Sequence, residues 1–144
     1  MLKPQNEMKL ILKSHSVNEG FARVAVSAFA AQIDMTLEEL SDIKTAVSEA
    51  VTNSIVHGYG RKIGNIYITC GIYDNNLIRI KIRDNGCGIE DIKKAMEPMY
   101  SSLGGDRAGL GFSVMECFTD KLKVYSKPGK GTSVILEKRV SIKC

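Results

Sequence analysis

Two runs decide the fold: Asn65-Ile-Tyr-Ile-Thr-Cys-Gly-Ile-Tyr73 and Leu77-Ile-Arg-Ile-Lys-Ile-Arg83, joined by Asp74-Asn-Asn76. In the second run Ile78, Ile80 and Ile82 fall on one side of an extended chain, and Arg79, Lys81 and Arg83 on the other. A period of two predicts a strand with one buried and one wet face. Asp-Asn-Asn is turn chemistry, so the spacing predicts an antiparallel hairpin. Leu122–Ser126 and Thr132–Lys138, around Lys127-Pro-Gly-Lys-Gly131, predict a second hairpin, and the alternation from Met8 to Lys13 predicts a first strand. Ser16-Val-Asn-Glu19 and Thr36-Leu-Glu-Glu39 have capping-box spacing, so a helix is expected after each. The first should run to about Gln32. The second carries Leu37, Leu40, Ile43, Val47, Ala50, Val51, Ser54 and Ile55 at helical spacing, with Gly58 as its expected stop. A short helix over Ile89–Met96 ended by Pro98, a mobile segment Tyr100–Ala108 and a helix Gly109–Phe118 complete the pattern. The order β-α-α-β-β-α-α-β-β with adjacent hairpins predicts an α+β fold: a two-layer sandwich, its sheet mostly antiparallel, its helices on one face.

Composition narrows the class. A chain of 144 residues is near one domain in size, so 1–144 reads as a single domain. Apolar residues at 44% and charged residues at 25% exclude a disordered tail, a collagen-like fibre and a coiled-coil rod. No run approaches a membrane span; the most apolar, Val24 to Ile33, contains Ser27 and Gln32. The first seven residues hold no apolar stretch of the export type, so a cytoplasmic protein is expected. Twenty basic against sixteen acidic residues give +4, too little to argue for nucleic acid. Cys70, Cys87, Cys117 and Cys144 form no CxxC pair, and neither His15 nor His57 stands at metal-ligand spacing from a cysteine. Free thiols in a reducing compartment are expected.

Four short patterns carry chemistry. Glu49 and Asn53 stand four residues apart on one helical face. Such a pair is either a solvated face or a carboxylate and an amide converging on one small volume, where the first could accept a proton and the second ligate Mg²⁺. Asp84-x-Gly86-x-Gly88 follows a strand, and reads as an Asx-type turn or as a loop where a flat ring meets an acceptor for its amine. Arg107-Ala-Gly109-Leu-Gly111 opens a helix, where bare backbone N–H groups and the helix dipole favour an anion. Gly129-Lys-Gly131-Thr132 lies at a hairpin. Common nucleotide signatures are missing: Val114 replaces the third glycine of a dinucleotide fingerprint, and Lys130 is followed by Gly131 rather than Ser or Thr. No HRD or DFG triplet is present.

Each pattern alone is weak, but their order and spacing together resemble the N, G1, G2 and G3 boxes of the GHKL ATPase/kinase superfamily, which takes in gyrase and histidine kinases. Asn18-Glu-Gly-Phe-Ala-Arg-Val24, Ser48-Glu-Ala-Val-Thr-Asn-Ser-Ile-Val-His-Gly-Tyr59 and Gly111-Phe-Ser-Val-Met-Glu116 further resemble the anti-sigma F factors of sporulating Gram-positive bacteria. That likeness covers roughly Glu7 to Lys138. The resemblance implies a Bergerat-type ATP-binding fold with a mixed sheet and ATP held under a lid. It implies a protein that holds a sporulation sigma factor inactive and uses ATP and Mg²⁺ to phosphorylate a serine of an anti-anti-sigma factor. By the same resemblance Glu49 is the general base and Asn53 the Mg²⁺ ligand. Asp84 accepts from the adenine amine, with Gly86, Gly88 and Thr132 around the base. Arg107, Gly109 and Gly111 hold phosphates, Ser101 and Ser102 lie in the lid, and Arg23 contacts both protein partners. A homodimer is expected, with no direct nucleic acid and no membrane as partners. The lid is short and carries Gly104-Gly105, which leaves its γ-phosphate contacts open. Three other readings remain: a sigma-binding module that uses nucleotide only as a ligand, a detached histidine-kinase catalytic domain, and a DNA-binding protein, the last disfavoured by the modest charge.

Overall fold

The computed structural model describes residues 3–97 and 108–140, with the side chains of 108–110 left aside. Its elements are β1 (Asn6–Lys13), α1 (Val17–Ala30), α2 (Leu37–Asn53), β2 (Asn65–Tyr73), β3 (Leu77–Asp84), α3 (Ile92–Ala95), α4 (Ala108–Phe118), β4 (Lys121–Lys127) and β5 (Gly131–Arg139). The five strands form one sheet in the order β1-β2-β3-β5-β4. All four ladders are antiparallel, so the mixed sheet expected from the resemblance is replaced, among the described residues, by a wholly antiparallel one.

The alternation in the sequence places the sheet in the molecule. Ile66, Ile68, Cys70 and Ile72 of β2, Ile78, Ile80 and Ile82 of β3, and Val134 and Leu136 of β5 are buried on one face. Val26 and Phe29 of α1, Ile43, Val47 and Val51 of α2, and Phe112 and Met115 of α4 cover that face. Each such side chain contributes about 1.5–3 kcal/mol through its removal from water. The helix α2 packs against both α1 and α4, which makes it the spine of the helical layer.

The helix starts differ between the two capping boxes. Thr36 has extended backbone (φ −72°, ψ 160°); its hydroxyl accepts from the Glu39 N–H at 3.0 Å while Glu39 Oε1 accepts from the Thr36 N–H at 2.9 Å. Loss of such a cap costs about 0.5–2 kcal/mol. Ser16 is already helical (φ −58°, ψ −30°), so its hydroxyl makes no cap, and the Glu19 N–H meets the Ser16 carbonyl at 3.2 Å instead. Glu19 turns outward to Arg23, 3.6 Å away.

The end of α2 also differs from expectation. The helix does not stop at Gly58. It widens into a π-helical turn, Ser54–Tyr59, closed by the Gly60 N–H on the Ile55 carbonyl at 3.0 Å. Gly60 has φ +61°, a conformation that glycine adopts without strain. The predicted helix over Ile89–Met96 shrinks to Ile92–Ala95, capped by Asp91 Oδ1 accepting from the Lys94 N–H at 3.1 Å. Pro98 and most of the predicted mobile segment, Tyr100–Arg107, lie outside the described residues.

Candidate functional site

The site forms where α2, its π-helical turn, the loop after β3 and the β4–β5 hairpin meet. Asp84 ends β3 and is 3% exposed. A carboxylate so placed needs donors, and it has them. Ser54 Oγ donates to Oδ2 at 2.9 Å, and the Gly86 N–H donates to Oδ1 at 2.9 Å. Burial raises the Asp84 carboxyl above its ordinary value; the N–H groups of Gly86 and Thr132, the Ser54 hydroxyl and the charge of Arg83 oppose that shift.

The glycines of this loop serve contact between chain segments. A Cβ on Gly86 would lie 2.1 Å from the Gly58 carbonyl oxygen, so the loop can rest on the π-helical turn only without one. The Cys87 N–H then donates to the Gly58 oxygen at 2.8 Å. Gly88 has φ +76° and abuts Lys127, while the Gly129 N–H donates to the Cys87 oxygen at 2.6 Å. Ser126 ties the far side: its Oγ accepts from the Ile89 N–H at 2.7 Å, donates to the Gly131 carbonyl at 2.9 Å and lies 2.8 Å from Thr132 Oγ1. Tyr59 Oη accepts from the Asn85 N–H at 2.8 Å and donates to the Asn65 carbonyl.

These segments enclose a cavity of about 820 Å³, in the range of nucleotide-sized ligand sites. Asn53, Ser54, Asp84, Gly88, Phe112 and Thr132 are among its walls. Gly86 does not line it; the N–H of Gly86 acts from behind, on the carboxylate of Asp84. Glu49 stands one helical turn before Asn53 and also outside the wall. Yet the two side chains converge: a Cβ built on Gly111 would lie 3.2 Å from both Glu49 Oε2 and Asn53 Nδ2. Asn53 Nδ2 is buried and lacks a hydrogen-bond partner, which marks the amide as a group awaiting one. Gly109 and Gly111 both fall in the first turn and a half of α4. Arg107, Ser101 and Ser102 lie outside the described residues. Arg23 is on α1, away from the cavity walls, its side chain 44% exposed.

The structure therefore brings together Glu49, Asn53, Asp84, Gly88, Gly111 and Thr132, and leaves Arg23 apart. Ser54, Gly58, Tyr59 and Ser126 were not anticipated from sequence. Ser54 did leave a signal: a hydroxyl on an otherwise apolar stripe must find a buried partner.

This cleft over an antiparallel sheet, with the buried acceptor Asp84 and the amide of Asn53 among its walls, has the make-up of a nucleotide-binding site. The model of the histidine kinase-like ATPase domain family matches residues 14–138. Two solved structures share the fold. One contains the RsbU and RsbW domains of a Mycobacterium tuberculosis protein, with TM-score 0.70 and 19% identity over 97% of this chain and 34% of that one. This chain thus spans about a third of that structure's length. The other is the histidine kinase domain of the Erythrobacter litoralis blue-light activated histidine kinase, with TM-score 0.61 and 19% identity over 86% of this chain and 60% of that one. At the level of sequence the likeness is nearer. An anti-sigma F factor of Thermoanaerobacter is 56% identical over 136 residues (94% of each chain), and one of Clostridium acetobutylicum 48% over 139 residues (96% of each). The chain belongs to the anti-sigma F factor family, within the histidine kinase-like ATPases. Among the described residues, no helix is long and apolar enough to cross a membrane.

Proposed function

We propose that the chain binds a sporulation sigma factor and holds it inactive, and that with ATP and Mg²⁺ it phosphorylates a serine of an anti-anti-sigma factor. The observation that carries the enzymatic half is the convergence of Glu49 Oε2 and Asn53 Nδ2 on one point beside Gly111. A domain that merely stored nucleotide would need no carboxylate beside the start of α4, where helix N–H groups attract phosphate.

In this reading the adenine amine donates to Asp84, whose orientation Ser54 and the Gly86 N–H fix. Thr132, opposite Asp84 in the β3–β5 ladder, bounds the base. The N–H groups around Gly109 and Gly111, with Arg107, take the phosphates. Asn53 would hold Mg²⁺ through its amide oxygen, and the orphaned buried amide fits that assignment once its O and N are exchanged. Among the described residues no group of three or more His, Cys, Asp or Glu could hold a metal alone, so phosphate oxygens would supply further ligands. The bound ion would neutralise phosphate charge. Glu49 accepts the proton of the serine hydroxyl as its oxygen bonds to the γ-phosphorus; the bond to the β,γ-bridging oxygen breaks, and ADP leaves. Positioning and charge neutralisation supply most of the rate in such transfers; the base adds about 10²–10⁴-fold. Arg23, exposed on α1 beside Phe21 and Val24, is the proposed contact for the protein partners. The chain is proposed to act as a homodimer and as a single domain.

The test is Glu49→Ala with Mg-ATP and an anti-anti-sigma protein. Transfer should fall by about 10²–10⁴-fold while nucleotide still binds, and the wild-type product should be acid-stable, as phosphoserine is and phosphohistidine is not. Undiminished transfer by the variant would remove Glu49 from the chemistry.

A further inference from the structure

The helices cover one face of the sheet, and the described residues leave the other face open. That open face is basic. Strand positions pointing away from the core carry Lys9, Lys13, Arg79, Lys81, Arg83, Lys121, Lys123, Lys127 and Arg139, nine of the chain's twenty basic residues. They carry only Glu7 and Glu137 of its sixteen acidic ones. The net charge of +4 is thus the sum of a strongly positive face and an acidic remainder, and does not describe the surface a partner meets.

The pattern within the face has two rows across the strands. The register aligns Lys9, Thr69, Lys81, Ile135 and Lys123 in one row. It aligns Ile11, Tyr67, Arg83, Ser133 and Tyr125 in the next. Neither row contains an acid. Alternate strands lie about 10 Å apart, so three lysines recur at that interval, with the second row displaced by about 7 Å. In the second row the Arg83 guanidinium lies over the Tyr67 ring at 4.0 Å, and Tyr125 is 56% exposed. Between the rows a hollow of about 200 Å³ is edged by Lys9, Lys81, Arg83 and Tyr67. A second copy laid face to face would set nine cations against nine, so self-association through this face is disfavoured.

We propose that the open sheet face binds single-stranded nucleic acid, its lysine row tracking phosphates and its Tyr–Arg row offering surfaces on which unpaired bases stack. Cationic tracks beside aromatic rings on a sheet match that chemistry. A duplex hides its base faces and would leave the second row unused. An acidic peptide would use the lysines but gain nothing from the rings.

The experiment is fluorescence anisotropy of the full chain with a labelled oligothymidylate of about twenty nucleotides. Affinity should fall with salt, and Lys9→Glu, Lys81→Glu and Lys123→Glu together should cut it more than tenfold and flatten the logarithmic salt slope by about 2. Tyr125→Ala should weaken the oligonucleotide about tenfold and leave polyglutamate, offered as competitor, unaffected. Reversal of Lys44, exposed on α2 in the helical layer, should change little. No binding by the wild-type chain, or binding indifferent to the sheet-face variants, overturns the proposal. Stronger retention on polyglutamate or on phosphatidylserine vesicles than on oligothymidylate also overturns it, and reassigns the face to an acidic protein or a membrane.

Discussion

Gly111→Ala separates stability from chemistry at a single atom. The residue lies in the fourth position of α4, where alanine is the better helix former by about 0.5–1 kcal/mol. The closest atoms to the added Cβ are all side-chain ends. Its nearest neighbours are Asn53 Nδ2 and Glu49 Oε2 at 3.2 Å and Asn53 Oδ1 at 3.3 Å. Ordinary contact needs about 3.5–4 Å, so both side-chain ends must retreat by a few tenths of an ångström. Side-chain ends can do that cheaply, so the fold should be as stable as before or melt a degree or two higher, given about 2–4 °C per kcal/mol at this size. The reaction has no such tolerance. A displacement of 1 Å costs about 10²-fold in well-positioned reactions, so a third of that predicts a loss of about fivefold in transfer. The assay pairs a thermal melt with initial rates of phosphorylation at saturating nucleotide. Unaltered transfer together with an unaltered melt would refute the argument, because it would mean that Glu49 and Asn53 need not stand where they stand.

Removal of the Ser54 hydroxyl by Ser54→Ala leaves Asp84 Oδ2 buried with one donor fewer, and should cost about 1.5–3 kcal/mol in chemical denaturation. Burial raises the Asp84 carboxyl above 3.8, so a proton binds the folded chain more tightly than the unfolded one. Its contribution to stability is therefore fullest below the ordinary carboxylate value and is lost as pH rises through the raised value. Nucleotide binding should run the opposite way, weakening as pH falls through that value, since a protonated carboxyl accepts poorly from an amine; calorimetry across acid pH reads both the fall and its upward displacement in Ser54→Ala. Burial pushes the Cys70 thiol up to about 12, so an alkylating reagent at neutral pH should spare Cys70 in the folded chain and modify the exposed Cys87 and Cys117, as mass spectrometry would show.

Much of this architecture was legible because it depends on short-range periodicity. The β2–β3 hairpin follows from alternation and from Asn75 and Asn76, both at positive φ in the turn. Glu49 and Asn53 were legible as a pair because helix geometry alone brings residues four apart together. What was illegible depends on partners distant in sequence. Ser16 and Thr36 have equally good capping spacing, yet only Thr36 caps, because the backbone entering α1 is already helical. Gly58 looked like a helix stop because its actual reason lies 26 residues away: a Cβ there would crowd the Asp84 carboxylate at 3.0 Å. Ser126 gave no hint, since its three partners, Ile89 in one loop and Gly131 and Thr132 at the start of β5, are brought to it only by the fold. The charge of the open sheet face was hidden by averaging over the chain, and emerges only once the strand order is known.

That strand order also sets when the site can exist. β5 is inserted between β3 and β4, so the last strand made becomes an interior one and its predecessor waits at the rim. Thr132 reaches its place opposite Asp84 only when that insertion occurs. A nascent chain still held at residue 120 already owns Glu49, Asn53 and Asp84, but it has no wall to complete the cleft. A chain cut short before β4 would therefore lack Ser126, Pro128, Thr132 and Val134, the side of the cleft that faces Asp84 and Gly88.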